Sequence, residues 1–265
     1  MSFAPDLTML AMLMAAAFVA GFIDAIAGGG GLITVPALAL AGLDPLAVLA
    51  TNKVNGTFGA AASTWSFLRA GLLDPRKTWP IAVYAGLGAL IGALALPLVP
   101  RDMIAMALPV ALVAIALYFA LSPRISDADA KRRWRPAAFN LAFLPAVGFY
   151  DAVFGPGTGS FYMMGFIGLA GLGVMKATAR TKLANFASNV VALLFYTLGG
   201  HIVWALGLAM GAAQFAGSRL GAHAAIRNGA RLVRPALIGI CLVLAAKLAL
   251  SPEQPFAQWL AHFWR

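Results

Sequence analysis

Two lysines set in long apolar stretches, Lys53 and Lys182, carry the clearest chemical consequence in this sequence. A charge at bilayer depth costs on the order of 2.5–3.5 kcal/mol on insertion scales, so such a residue is usually functional or paired. Polar side chains surround both: Thr51, Asn52 and Asn55 beside Lys53, and Arg180, Thr181, Asn185 and Asn189 around Lys182. Ammonium, amide N–H and hydroxyl groups all donate hydrogen bonds to an oxyanion. Thr181 and Asn185 stand four residues apart, on one face of a helix. The alternative to solute contact is snorkelling to an interface or a structural ion pair.

Two glycine-rich breaks, Gly28-Gly29-Gly30-Gly31 and Gly155-Pro156-Gly157-Thr158-Gly159, each begin four residues after an acid, Asp24 or Asp151. Backbone that leaves a helix inside a membrane survives only where protein or a water-filled cavity satisfies it. Successive glycines turn sharply and leave their amides open, and a helix that follows points its partially positive N-terminus at the break. Two such loops meeting near the midplane would cradle an anion, with Gly28, Gly29, Gly30, Gly31, Gly157 and Thr158 at its wall. Close helix packing by small residues is the other reading. An acid at a helix C-terminal end is opposed by the macrodipole and needs a partner. For Asp24 the expected partner is the lysine of its own half, Lys53, in a structural pair. Proton or sodium uptake by Asp24 and Asp151 is the competing use.

The elements that position these residues are read as apolar segments over 7–27, 32–43, 46–68, 78–99, 103–121, 137–154, 160–171, 174–198, 202–218 and 235–250. Most are long enough to cross a hydrocarbon core of about 30 Å as helices. The two that follow the glycine breaks have only twelve residues each, about 18 Å of helix and too short to cross alone. The halves repeat one another. Gly21-Phe22-Ile23-Asp24-Ala25 matches Gly148-Phe149-Tyr150-Asp151-Ala152 at an offset of 127, and after a two-residue slip Lys53 matches Lys182 and Gly88-x-x-x-Gly92 matches Gly217-x-x-x-Gly221 at 129. The expected division is 1–121 for the first repeat, 122–136 for a basic cytoplasmic linker, 137–252 for the second repeat and 253–265 for an interfacial tail. In that tail Phe256, Trp259, Leu260 and Phe263 share one helical face.

Twelve of the nineteen basic residues fall in three loops: Arg69, Arg76 and Lys77; Arg124, Lys131, Arg132, Arg133 and Arg135; and Arg219, Arg227, Arg231 and Arg234. Placing all three on the cytoplasmic side satisfies the positive-inside rule, and requires each half to carry the chain to the opposite face. Four parallel spans per half would leave the Arg219–Arg234 cluster outside. The expected fold class is therefore all-α: a polytopic membrane protein of two inverted repeats, each with three or four full spans plus a short half-helix after its glycine break. Both termini are expected outside a bacterial-type inner membrane.

Composition narrows the function further. Charged residues make up 11% of the chain, against about 25% in soluble domains, so the surface faces lipid rather than nucleic acid despite a net charge of +10. The first twenty residues contain no Lys or Arg, so the charged n-region of a cleaved signal peptide is missing and the first apolar segment is expected to remain. Cys241 is the only cysteine, which excludes an internal disulfide. His201, His223 and His262 lack metal-ligand spacing, and no Ser/His/Asp set, P-loop or HExxH motif occurs. No enzyme activity, cofactor or metal is expected.

The run Gly21-Phe22-Ile23-Asp24-Ala25-Ile26-Ala27-Gly28-Gly29-Gly30-Gly31-Leu32-Ile33-Thr34-Val35-Pro36, with Ala50-Thr51-Asn52-Lys53, resembles the sulfite exporter family (TauE/SafE, or TSUP). The second half answers with Gly148 through Ser160 and Thr181-Lys182-Leu183-Ala184-Asn185. Pro156 and Thr158 interrupt the glycine run that the family's second repeat tends to keep. The resemblance spans nearly the whole chain and implies transport of sulfite, sulfonates or related small sulfur anions. The resulting expectation is a secondary transporter of a small oxyanion, working by alternating access, with the glycine loops, Thr51, Asn52, Lys53, Asn55, Thr181, Lys182 and Asn185 at the solute. A cation carrier centred on Asp24 and Asp151, or a membrane enzyme or assembly factor, are the alternatives. The expected partners are a small anionic solute and the bilayer, with the oligomeric state left open.

Overall fold

The computed structural model describes residues 6–96, 127–233, 235, 236 and 239. Residues 103–121, the start of the linker at 122–126, Cys241, His262 and the tail 253–265 lie outside the described residues, as does most of 235–250.

All the regular structure among the described residues is helical. Helix α1 (Leu7–Ala27) begins where the Asp6 carboxylate accepts the Met9 N–H at 2.7 Å and ends at Gly28, whose φ of 82° continues no helix. Helix α2 (Gly31–Leu40) follows. Asp44-Pro45 and Asp74-Pro75 start the next two, α3 (Pro45–Arg69) and α4 (Pro75–Ala95). Each aspartate caps free backbone N–H groups, and the proline supplies the first helical position, where no amide is needed. In the second half a single turn at Pro136–Ala138 and a π-helical turn at Phe139–Phe143 lead into α5 (Leu144–Val153). Then come α6 (Thr158–Gly168), α7 (Val174–Gly199) and α8 (Trp204–Asn228).

The short elements are as short as the sequence indicates. Helix α2 has 10 residues and α6 has 11, about 15–17 Å at 1.5 Å per residue. Two helices, α1 and α4, are long and apolar enough to cross a membrane by length and composition. Helices α3 and α7 run 25 and 26 residues but turn polar side chains inward, which lowers their mean hydropathy. Large apolar side chains cover the outer faces. Leu87, Leu90, Ile91 and Leu94 on α4 and Leu194 and Leu198 on α7 are all exposed, the surface a lipid-facing protein presents.

The packing is reciprocal between halves. Helix α1 lies against α8 and α5 against α4, while α3 packs on α8 and on α7, and α7 on α4. The same small residues make both close contacts. A Cβ on Gly88 or Gly92 would come within 2.1 or 2.5 Å of the Pro145 or Phe149 carbonyl oxygen. One on Gly217 or Gly221 would come within 2.0 or 2.2 Å of the Phe18 or Phe22 carbonyl oxygen. Phe18 and Phe22 are the repeat counterparts of Pro145 and Phe149 at the offset of 127.

Candidate functional site

The two glycine loops touch. A Cβ on Gly28 would lie 2.6 Å from the Gly159 carbonyl carbon, and one on Gly159 would lie 2.7 Å from Gly28 Cα. Only glycine permits that approach, and φ values of 82° and 84° at Gly28 and Gly157 require it independently. The starts of α2 and α6 thus converge where α3 and α7 cross.

Beside this contact lies a cavity of about 40 Å³. At ~10–15 Å³ per water-sized position it holds about three oxygen-sized atoms. Of the site residues expected from sequence, Asp24, Gly29, Gly30, Gly31, Asn52, Lys53, Asp151, Gly157, Thr158 and Asn185 line it. The other wall residues include Gly56, Asn189 and Gln214.

Both lysines are ion-paired, and across the halves. Lys53 donates to the Asp151 carboxylate at 2.9 Å and to the Asp151 carbonyl at 2.5 Å. Lys182 donates to the Asp24 carboxylate at 3.1 Å and also to the Asp24 carbonyl. The pairing of Asp24 with Lys53 inside one half is therefore wrong. Near neighbours in sequence lie on opposite sides of the cavity, because each lysine reaches the C-terminal end of the other half's first helix. There it meets a carboxylate and a backbone carbonyl at the negative end of the macrodipole. An ammonium has three N–H groups, so each lysine keeps one beyond these two bonds.

The remaining donors point at the loops. The Asn52 carboxamide oxygen accepts from the Thr34 hydroxyl at 2.6 Å, and its Nδ2 lies 3.5 Å from where a Gly31 Cβ would be. Asn185 Nδ2 lies 3.1 Å from the same point on Gly159. Asn185 Oδ1 is buried and has no hydrogen-bond partner among the described residues.

Five expected contacts sit elsewhere. The Thr51 hydroxyl accepts the Val203 N–H at 3.1 Å and serves the turn before α8. Asn55 and Thr181 are buried away from the cavity, with polar atoms that find no partner among the described residues. Lys182 is fully buried behind Asp24 and does not itself line the cavity, and neither does Gly28. Two residues were missed. Ser188 donates to Asp151 at 2.5 Å, and Gln214 is 3% exposed, its Oε1 without a partner among the described residues. Gln214 is a polar residue in the middle of the apolar segment 202–218, which was the available signal.

A second cavity, of about 160 Å³, lies nearer the start of α7 and is lined by Lys77, Arg132 and Arg180 with Phe139 and Asn140 of the π-helical turn. Near it the linker is clipped to α7. Asp129 accepts the Gly173 N–H at 2.8 Å and pairs with Lys176 at 2.5 Å. The Gly173 hydrogen bond, then Lys176, holds its carboxyl below the usual aspartate value. Among the described residues no group of His, Cys, Asp or Glu is arranged to hold a metal.

The sequence profile of the family described as "Sulfite exporter TauE/SafE" matches residues 13–248. A Sinorhizobium protein named "Probable membrane transporter protein ORF9" is 47% identical over 254 residues, 96% of this chain and 97% of its own. The Escherichia coli K12 "Probable membrane transporter protein YfcA" is 40% identical over 95% of this chain and 94% of its own. A Haemophilus influenzae "Probable membrane transporter protein" is 39% identical over 91% and 94%. No solved structure matches the chain.

Proposed function

Because the chain belongs to the sulfite exporter TauE/SafE family and is a membrane transporter, we propose that it carries a small sulfur oxyanion, sulfite or an organosulfonate, by alternating access around the cavity at the two glycine loops. The observation that carries this reading is the wall of that cavity. Two helix N-termini, Asn52 Nδ2, Asn185 Nδ2 and one remaining Lys53 N–H converge on a space of about 40 Å³. Convergent donors in a site shielded from bulk water favour an oxyanion, and the volume suits a head of three or four heavy atoms. The reciprocal helix contacts support an inverted repeat, with the site at the interface where its halves move against one another. A cell inner membrane with both termini outside accords with the loop charges.

Purified protein in proteoliposomes, offered sulfite, methanesulfonate, phosphate, acetate and divalent metal cations at fixed ionic strength, tests the reading. The first two should compete for saturable binding. Lys53→Gln and Lys182→Gln should each weaken them about tenfold, some 1.4 kcal/mol. Saturable binding of a metal cation with no response to any anion would overturn the reading.

A further inference from the structure

The two cross-half ion pairs are equivalent in position and unequal in support. Asp151 is 2% exposed and both carboxylate oxygens are held: Oδ1 by Lys53, with the Thr158 hydroxyl 3.0 Å away and shared with the Gly155 carbonyl at 2.6 Å, and Oδ2 by the Ser188 hydroxyl at 2.5 Å. Asp24 is 14% exposed and lines the cavity. It receives the Gly30 N–H at 3.1 Å on Oδ1 and Lys182 at 3.1 Å on Oδ2, and no hydroxyl among the described residues bonds to it. The sequence supplies the cause. At the repeat offsets of 127 and 129, the residues answering Thr158 and Ser188 are Gly31 and Gly59. Gln214 fills the space over Gly59, where a Cβ would come within 2.8 Å of its amide nitrogen.

We infer that Asp24, and not Asp151, is a proton-binding site whose loading is coupled one-to-one to binding of a monoanion. This rests on the anion reading above. With Asp24 ionised, Asp24, Asp151, Lys53 and Lys182 sum to zero charge. One proton from the water of the cavity, added to an Asp24 carboxylate oxygen, breaks only the ionic link to Lys182 and leaves the site at +1. A monoanion cancels that charge, so the doubly loaded site is neutral like the empty one. Lys182 is not stranded, because it keeps its hydrogen bond to the Asp24 carbonyl. The released link joins α1 to α7, elements of opposite halves, whereas Lys53–Asp151 stays closed, with Ser188 holding the other Asp151 oxygen.

Among the described residues, the titratable groups that face Asp24 are two lysines and one carboxylate. Lys182 faces Asp24 from α7, with Lys53 of α3 and Asp151 of α5 across the cavity. From α8 come Gln214 and Ser218, the charged and titratable Arg219, His223 and Arg227 of that helix being exposed. Helix α2 contributes no ionisable side chain, and the Tyr162 hydroxyl of α6 is turned to the Leu144 carbonyl.

Full-length protein in nanodiscs provides the test, with methanesulfonate as a probe that stays a monoanion throughout. Affinity in the wild type should rise with acidification, by up to about tenfold per pH unit, the linkage expected for one proton. Asp24→Asn, which mimics the protonated acid, should bind with pH-independent affinity. Asp24→Glu should keep the slope with a shifted midpoint, and serves if the Asn variant does not fold. Infrared difference spectra between neutral and acidic pH, with methanesulfonate present, should show a protonated-carboxyl band that Asp24→Asn removes and Asp151→Asn leaves. A slope retained in Asp24→Asn, or a band lost only in Asp151→Asn, overturns the inference. So does pH-independent binding by the wild type, which leaves the anion reading standing. The band with no methanesulfonate binding at any pH defeats the anion reading and the coupling, and leaves Asp24 a proton site alone.

Discussion

At the residue scale the decisive facts are partners rather than residue types. A buried charge without a counter-charge is costlier than no charge, so the cross-half pairs dictate which double substitutions rescue one another. Lys182→Met should destabilise the protein more than Lys182→Met with Asp24→Asn. The coupling energy of that cycle, measured by thermal unfolding in detergent, should be at least about 1 kcal/mol. The corresponding cycle for Asp24 and Lys53, which share no bond, should give a smaller coupling. A large coupling for Asp24 with Lys53 and none with Lys182 would reverse the pairing. The two lysines and two aspartates were legible from the sequence as charges in apolar stretches at matched repeat positions. Their pairing was not, because nearness along the chain suggests the lysine of the same half, and the actual partner of Asp24 lies 158 residues away. Gln214 was legible for the same reason as the lysines, and was passed over because it has no polar counterpart in the first half.

Among the elements, glycine decides how closely helices approach. Gly92→Leu should force α4 from α5, since even its Cβ would meet the Phe149 carbonyl at 2.5 Å. Gly217→Leu should do the same to α8 and α1. Overpacking of this kind costs about 1–3 kcal/mol or more, so both variants should melt below the wild type. Gly86→Ala, on the same helix as Gly92, is the contrast: its Cβ would sit in ordinary contact, 3.4 Å from Val191, and should leave the melting temperature unchanged. The start of α7 follows a different rule. The Asp129 carboxyl titrates below its usual range. Its clip on Gly173 therefore contributes stability above the ordinary carboxylate value, which is lost as pH falls through the lowered one. Hydrogen exchange at the Gly173 amide should accelerate in Asp129→Ala at neutral pH, and in the wild type only in acid. The short helices α2 and α6 were plain in the sequence from their length and the glycine runs before them. The π-helical turn at Phe139–Phe143 was not, since an extra residue per turn leaves no pattern in an apolar run.

For the whole molecule the orientation in the membrane is the property that makes the rest a transporter, and loop charge is what predicts it. Arg69, Arg76 and Lys77, the linker with Lys131, Arg132, Arg133 and Arg135, and Arg219, Arg227 and Arg231 can share the cytoplasmic side only if each half carries the chain across an odd number of times. The halves then stand inverted, and their reciprocal contacts, α1 on α8 and α5 on α4, become the paired surfaces that open alternately. On this arrangement the N-terminus and the Gly199–His201 turn lie outside and the linker inside. Single cysteines introduced at Ala128, in the exposed linker, and at His201, in the exposed turn, on a Cys241→Ala background, separate the alternatives. An impermeant thiol reagent added to intact cells should label position 201 and spare 128 until the membrane is opened. If instead position 128 is labelled from outside, the halves cannot be inverted with the linker in the cytoplasm. The two glycine loops would then need a different account of how a solute reaches them from each side in turn.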